Sequence, residues 1–91
     1  MKLLTQEQGS QLKKGDRVNV VWFSPRKNRD NPDAPSREYG GRTEYMESVW
    51  RDCVVMGAPH LTASDGYMVS VFCPREGMNK PLLTDHLELA N

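Results

Sequence analysis

The sequence predicts an all-β domain, a small barrel, from three observations. Short runs rich in Val, Trp, Phe and Tyr alternate in the manner of half-buried strands, Gly-containing turn signals separate them, and one long connection follows the first run. Ninety-one residues allow one domain. Residues 12–91 are assigned to the barrel. Residues 1–11 are assigned to a loose amino-terminal segment, because Leu3 and Leu4 are its only apolar anchor. Leu, Val and Phe total 18 residues and Ile is absent, so the core is thin. A chain this short buries only roughly 60 to 65% of its unfolded surface. Support from a partner or from self-association is therefore expected.

The first strand is residues 18–23, following the turn-like Lys14-Gly15-Asp16. Val18, Val20 and Trp22 share one face and Asn19, Val21 and Phe23 the other, so both sides are partly covered. Residues 24–48 form the long connection, with three of the six prolines, five Lys/Arg and Gly40-Gly41. Within it, residues 24–42 are predicted to be an exposed, mobile excursion. Tyr45, Met46, Val49 and Trp50 recur at helical spacing, so residues 43–49 read either as a short amphipathic helix or as an extension of the next strand. That second strand, residues 50–56, places Arg51, Cys53 and Val55 on one face and stops at Gly57-Ala58-Pro59. The third, residues 67–73, is entered through Ser64-Asp65-Gly66 and stopped by Pro74, with Tyr67, Val69, Val71 and Cys73 on one side. Residues 82–89 are less regular: Thr84-Asp85 caps one helical turn before residues 86–89 pair at the sheet edge. Val18, Val20, Val55, Val69 and Val71 are the predicted core.

This pattern, with a long loop between the first and second strands and a short helical turn before the last, resembles an SH3-like β-barrel over residues 12–91. Within that class the framework resembles the plasmid-borne type II dihydrofolate reductases. Gly15-Asp16-Arg17-Val18 resembles their opening, Trp50, Val54, Val55 and Gly57 their valine-rich strand, Gly66-Tyr67-Met68-Val69 the next, and Leu87-Glu88 their ending. The resemblance implies the fold but not the chemistry. Where that family has a Val-Gln-Ile-Tyr run lining its pore, this chain reads Asn79-Lys80-Pro81-Leu82, and proline is expected to break the presenting strand.

Net charge is zero, but residues 1–42 carry nine Lys/Arg against five Asp/Glu and residues 43–91 three against seven. No apolar run approaches a membrane span, and residues 1–4 are too brief for a signal peptide, which predicts a cytoplasmic protein with no membrane partner. Cys53, Cys73, His60 and His86 match no zinc spacing, so no metal is expected. No cofactor is expected either: Gly40-Gly41 lacks the Lys-Ser/Thr of a phosphate loop. Cysteine nucleophiles beside histidine, and the carboxylate pairs Glu44/Glu47 and Asp85/Glu88, lack any spacing that forces them together. No catalytic residue is assigned. Arg26, Lys27, Arg29, Arg37, Tyr39, Arg42 and Tyr45 instead put cationic forks and aromatic rings on one segment, a partner-binding set in which Asp30, Asp33 and Glu38 cut the charge of the loop. Trp22, Phe23 and Trp50 can extend that surface. The expectation is a non-enzymatic binding module, in style a bacterial or phage accessory protein, docking on a protein or nucleoprotein. Direct nucleic-acid binding is the alternative, a diverged reductase the third, and homo-oligomerisation is compatible with each.

Overall fold

A computed structural model describes residues 2–26, 30–31, 33–63 and 65–90. Among the described residues, seven strands, β1 (Arg17–Ser24), β2 (Ser36–Tyr39), β3 (Arg42–Val55), β4 (His60–Leu61), β5 (Tyr67–Cys73), β6 (Met78–Leu83) and β7 (Leu87–Leu89), join one short helix, α1 (Gln6–Ser10), and a 3₁₀ turn at Thr84–His86. The class is all-β. Every pairing is antiparallel, in the order β4-β5-β3-β1-β7, with β2 added to β3 and β6 to β5. A helical turn sits before the last strand as predicted, but Thr84 and Asp85 lie within it and its N-cap, Leu83, makes no side-chain hydrogen bond.

Val18, Val20, Val55, Val69 and Val71 are all fully buried, and Leu4, Leu12, Cys53, Cys73, Leu82 and Leu87 complete the cluster. Each fully buried Val or Leu contributes about 1.5 to 3 kcal/mol of hydrophobic stabilisation. Val21 is buried on the opposite side of β1, so that strand is covered on both faces as expected.

The register of β3 departs from simple alternation at two places. Val18 pairs with Cys53 but Val20 with Trp50, so Arg51 and Asp52 together face the single residue Asn19. Asp52 takes φ 60°, a left-handed conformation, and its amide donates to Asn19 Oδ1 at 3.0 Å. Cys53 and Val55 consequently point inward while Arg51 is exposed, which corrects the placement of Arg51 on the face of Cys53 and Val55. A second irregularity falls where Trp22 pairs with Ser48 and Phe23 with Met46, so Glu47 is an inserted residue of β3. Residues 43–49 are strand, and this inserted residue, not a helical turn, sets the spacing of Met46 and Val49.

The long connection is also shorter than predicted. Ser36–Tyr39 pairs with Arg42–Tyr45 through the two-residue turn Gly40-Gly41, whose φ values of 60° and 81° are those a tight hairpin requires. Residues 36–42 are therefore a paired ribbon, not a mobile excursion, and part of the predicted excursion, residues 27–29 and 32, lies outside the described residues. Ser24 and Ser36 both register with Tyr45. Two strands cannot occupy one edge at one residue, so β3 lies between β1 and β2 there.

Residues 78–83 form a strand that alternation alone does not reveal, and Pro81 sits inside it opposite Ser70. Met56 N donates to Ser70 O at 2.9 Å, so the backbone groups of Ser70 point away from β6. Ser70 and Pro81 are thus a non-hydrogen-bonded pair, and the missing N–H of Pro81 falls on the free edge, where the ladder loses nothing. The expected disruption does not occur.

The amino end carries more structure than its apolar content predicts. Thr5 and Gln8 form a reciprocal capping box at the start of α1. Leu4 is buried, and its amide donates to Leu87 O at 2.8 Å. Gly9 lies so close to Thr84 that a Cβ there would collide with the threonine side chain. Gly9→Ala is accordingly expected to destabilise by about 1 to 3 kcal/mol through overpacking, measured by urea denaturation; an unchanged midpoint would detach α1 from the fold. Val69→Asp buries an unpaired carboxylate and is expected to abolish the cooperative thermal transition followed by circular dichroism.

Candidate functional site

The inward face of β1 and β3 runs beyond the core and ends in two tryptophans. Trp50 is in register with Val20 and Trp22 with Ser48, so all four share that face. The indoles meet edge to face with centroids 5.1 Å apart, packed on one side against the core. Across from them, Lys80 of β6 extends from the register position opposite Val71 and holds its ammonium 5.9 Å from the centre of the Trp22 ring. Between these walls lies an open groove of about 260 Å³ lined by Trp22, Glu47, Ser48, Trp50 and Lys80.

Behind Trp22, the 3₁₀ turn ties β1 to the β2 ribbon. His86 stands 6.1 Å from Trp22 and 6.4 Å from Tyr39, ring centre to ring centre. Its Nδ1 lies 3.3 Å from Val21 O, a carbonyl that can only accept, so the two are hydrogen-bonded in the tautomer that has its proton on Nδ1. Nε2 then faces Asp85 Oδ1 at 3.9 Å. Arg37 is the centre of this side. Its guanidinium stacks on Phe23 at 4.0 Å and on Tyr39 at 4.2 Å. Nε donates to Glu44 Oε1 at 3.1 Å and Nη1 to Asp85 O at 3.0 Å. The Arg37 and Glu44 side chains are only 11% and 15% exposed. Partial burial, then the charge of Asp85 and a hydrogen bond to it, raise the Tyr39 phenol above its ordinary value.

Of the residues assigned to partner binding, Arg26, Arg37, Tyr39, Arg42 and Tyr45 are described, and they differ in exposure and in what they contact. Arg26 is exposed, with its amide on Ser24 Oγ at 3.2 Å. Lys27 and Arg29 lie outside the described residues. Arg37 is spent on internal contacts, while Arg42 and Tyr39 are paired and exposed beside the Gly40-Gly41 turn, Tyr39 at 36%. Tyr45 is half-buried between Ser24 and Ser36. The carboxylate pairs separate: Glu44 serves Arg37, and Glu88 accepts from Asn19 Nδ2 at 3.2 Å. Among the described residues, no three His, Cys, Asp or Glu side chains come together as metal ligands. Lys80 and Ser48 escape sequence reasoning, because nothing in one chain says which strands face each other across the core.

Arg37→Ala is expected to cost about 2 kcal/mol in urea denaturation, with Arg37→Lys recovering only part, since one ammonium cannot hold Glu44 and the Asp85 carbonyl while lying flat on two rings. The fold also favours neutral acids at two places, Tyr39 and Cys53. Burial, then hydrogen bonding to and charge repulsion from Cys73, push the Cys53 thiol from 9.0 to about 12. Folded values raised above unfolded ones mean that this stabilisation is full below pH 9.0 and is lost as pH rises toward about 12. Cys53→Ala should flatten that alkaline decline of the thermal midpoint, and Tyr39→Phe the part that begins above 10.0. Compared with protein-family models, curated proteins and solved structures, the chain matches none.

Proposed function

We propose that this chain is a non-enzymatic binding module whose Trp22–Trp50 groove docks on a protein partner. The observation that carries the reading is the exposed end of the core: two tryptophans fixed by their own packing present apolar area at low entropic cost, with a cation on the opposite wall. Rigid aromatic anchors beside adaptable polar groups are the usual composition of binding hot spots. Direct contact with phosphates has less support, since Arg37 is engaged internally. No helix among the described residues is long and apolar enough to cross a membrane.

Plugging the groove tests the proposal without emptying the core. Ser48 is exposed, so Ser48→Trp should fill the space between the indoles and Lys80 while leaving the thermal midpoint unchanged. In a nuclease-treated lysate of its own cells, the unaltered protein is expected to retain a protein that the variant loses at least tenfold. Material that disappears on nuclease treatment, or binds both forms equally, would overturn the groove as the docking site. On duplex DNA, weak binding that vanishes at physiological salt is expected; a salt slope that flattens by about 0.9 for each of Arg26 and Arg42 replaced by Ala would move the function to phosphate recognition.

A further inference from the structure

Cys53 and Cys73 come from different strands and are 0% and 1% exposed. Val54 registers with Phe72 and Val55 with Val71, so the next step along both strands sets Cys53 directly opposite Cys73. Both side chains point into the core, on the face of Val55 and Val71. Directly opposed residues of an antiparallel pair have Cα atoms roughly 4.5 or 5.5 Å apart, inside the window of about 4.4 to 6.8 Å that a disulfide accepts. The bulge at Asp52 creates this juxtaposition by returning Cys53 to the inward face.

We propose that Cys53 and Cys73 are an internal modification site, a dithiol that a low-molecular-weight disulfide oxidises to a cross-strand disulfide joining β3 to β5. One thiolate attacks the external disulfide, forms a mixed disulfide and releases one thiolate. The second cysteine then attacks the protein sulfur of that mixed disulfide and releases the other. Two cysteine thiols lose two protons and two electrons, and the oxidant becomes two thiols. Burial keeps the pair inert in the closed fold, and the high thiol value of Cys53 reinforces this. Entry requires β3 and β5 to part, and their ladder is short, with Val54–Phe72 and Val55–Val71 in register beside the Met56 N–Ser70 O bond.

The reduced, folded chain is incubated with oxidised glutathione at several urea concentrations below its unfolding transition. It is then unfolded in N-ethylmaleimide and weighed intact. The expected product lacks two hydrogens, carries neither maleimide nor glutathione, forms faster as urea rises, and melts about 10 °C or more higher because the crosslink restricts the unfolded chain. Dithiothreitol should reverse both changes, and Cys73→Ala should show neither. Two maleimide adducts at every urea concentration, stable glutathione adducts on both cysteines, a disulfide-linked dimer, or an internal disulfide that lowers the midpoint would each overturn the proposal.

Discussion

The three-position step from Trp50 to Cys53 poses the problem on which this structure turns. A regular strand sends such positions to opposite faces, yet both are needed inside, Trp50 beside Trp22 and Cys53 beside Val18. The chain resolves this with one left-handed residue, Asp52, and one buried amide side chain, Asn19, which accepts the displaced N–H. Asn19 is held in turn by Glu88 of β7. A local backbone kink thereby fixes the phase of a fourteen-residue strand, and with it both the core and the aromatic groove.

Most of the core was legible because it consists of alternating valines. Val18, Val20, Val69 and Val71 obey period two over runs free of insertions, and burial follows. Arg51 was misplaced because the bulge beside it is written in no residue type that distinguishes it from an ordinary Asp. The β2 ribbon was obscured for a different reason: Ser-Arg-Glu-Tyr has no apolar face, and its pairing is secured by Gly40-Gly41 and by Arg37 reaching Glu44 and Asp85. A polar ribbon of that kind is stabilised by contacts distant in sequence, 48 residues for Arg37 to Asp85.

The candidate site divides the same way. Its aromatic residues stand out in the sequence because Trp and Tyr are few and sit next to strands. Its polar partners do not, since Lys80 reaches Trp22 only through the pairing of β6 with β5. Arg37 shows the converse: a basic residue in a basic segment reads as solvent-facing, whereas two rings, a carboxylate and a carbonyl enclose it.

Pro81 has a consequence beyond β6 itself. Its nitrogen faces outward on a strand that pairs, among the described residues, only with β5. An incoming peptide laid along that edge would find a gap in the row of main-chain donors, at the middle of a strand only six residues long. Strand addition is disfavoured there, both for other molecules and for copies of this chain. The groove proposed as the docking site would therefore have to be read through its side chains, where composition and not backbone periodicity decides what fits.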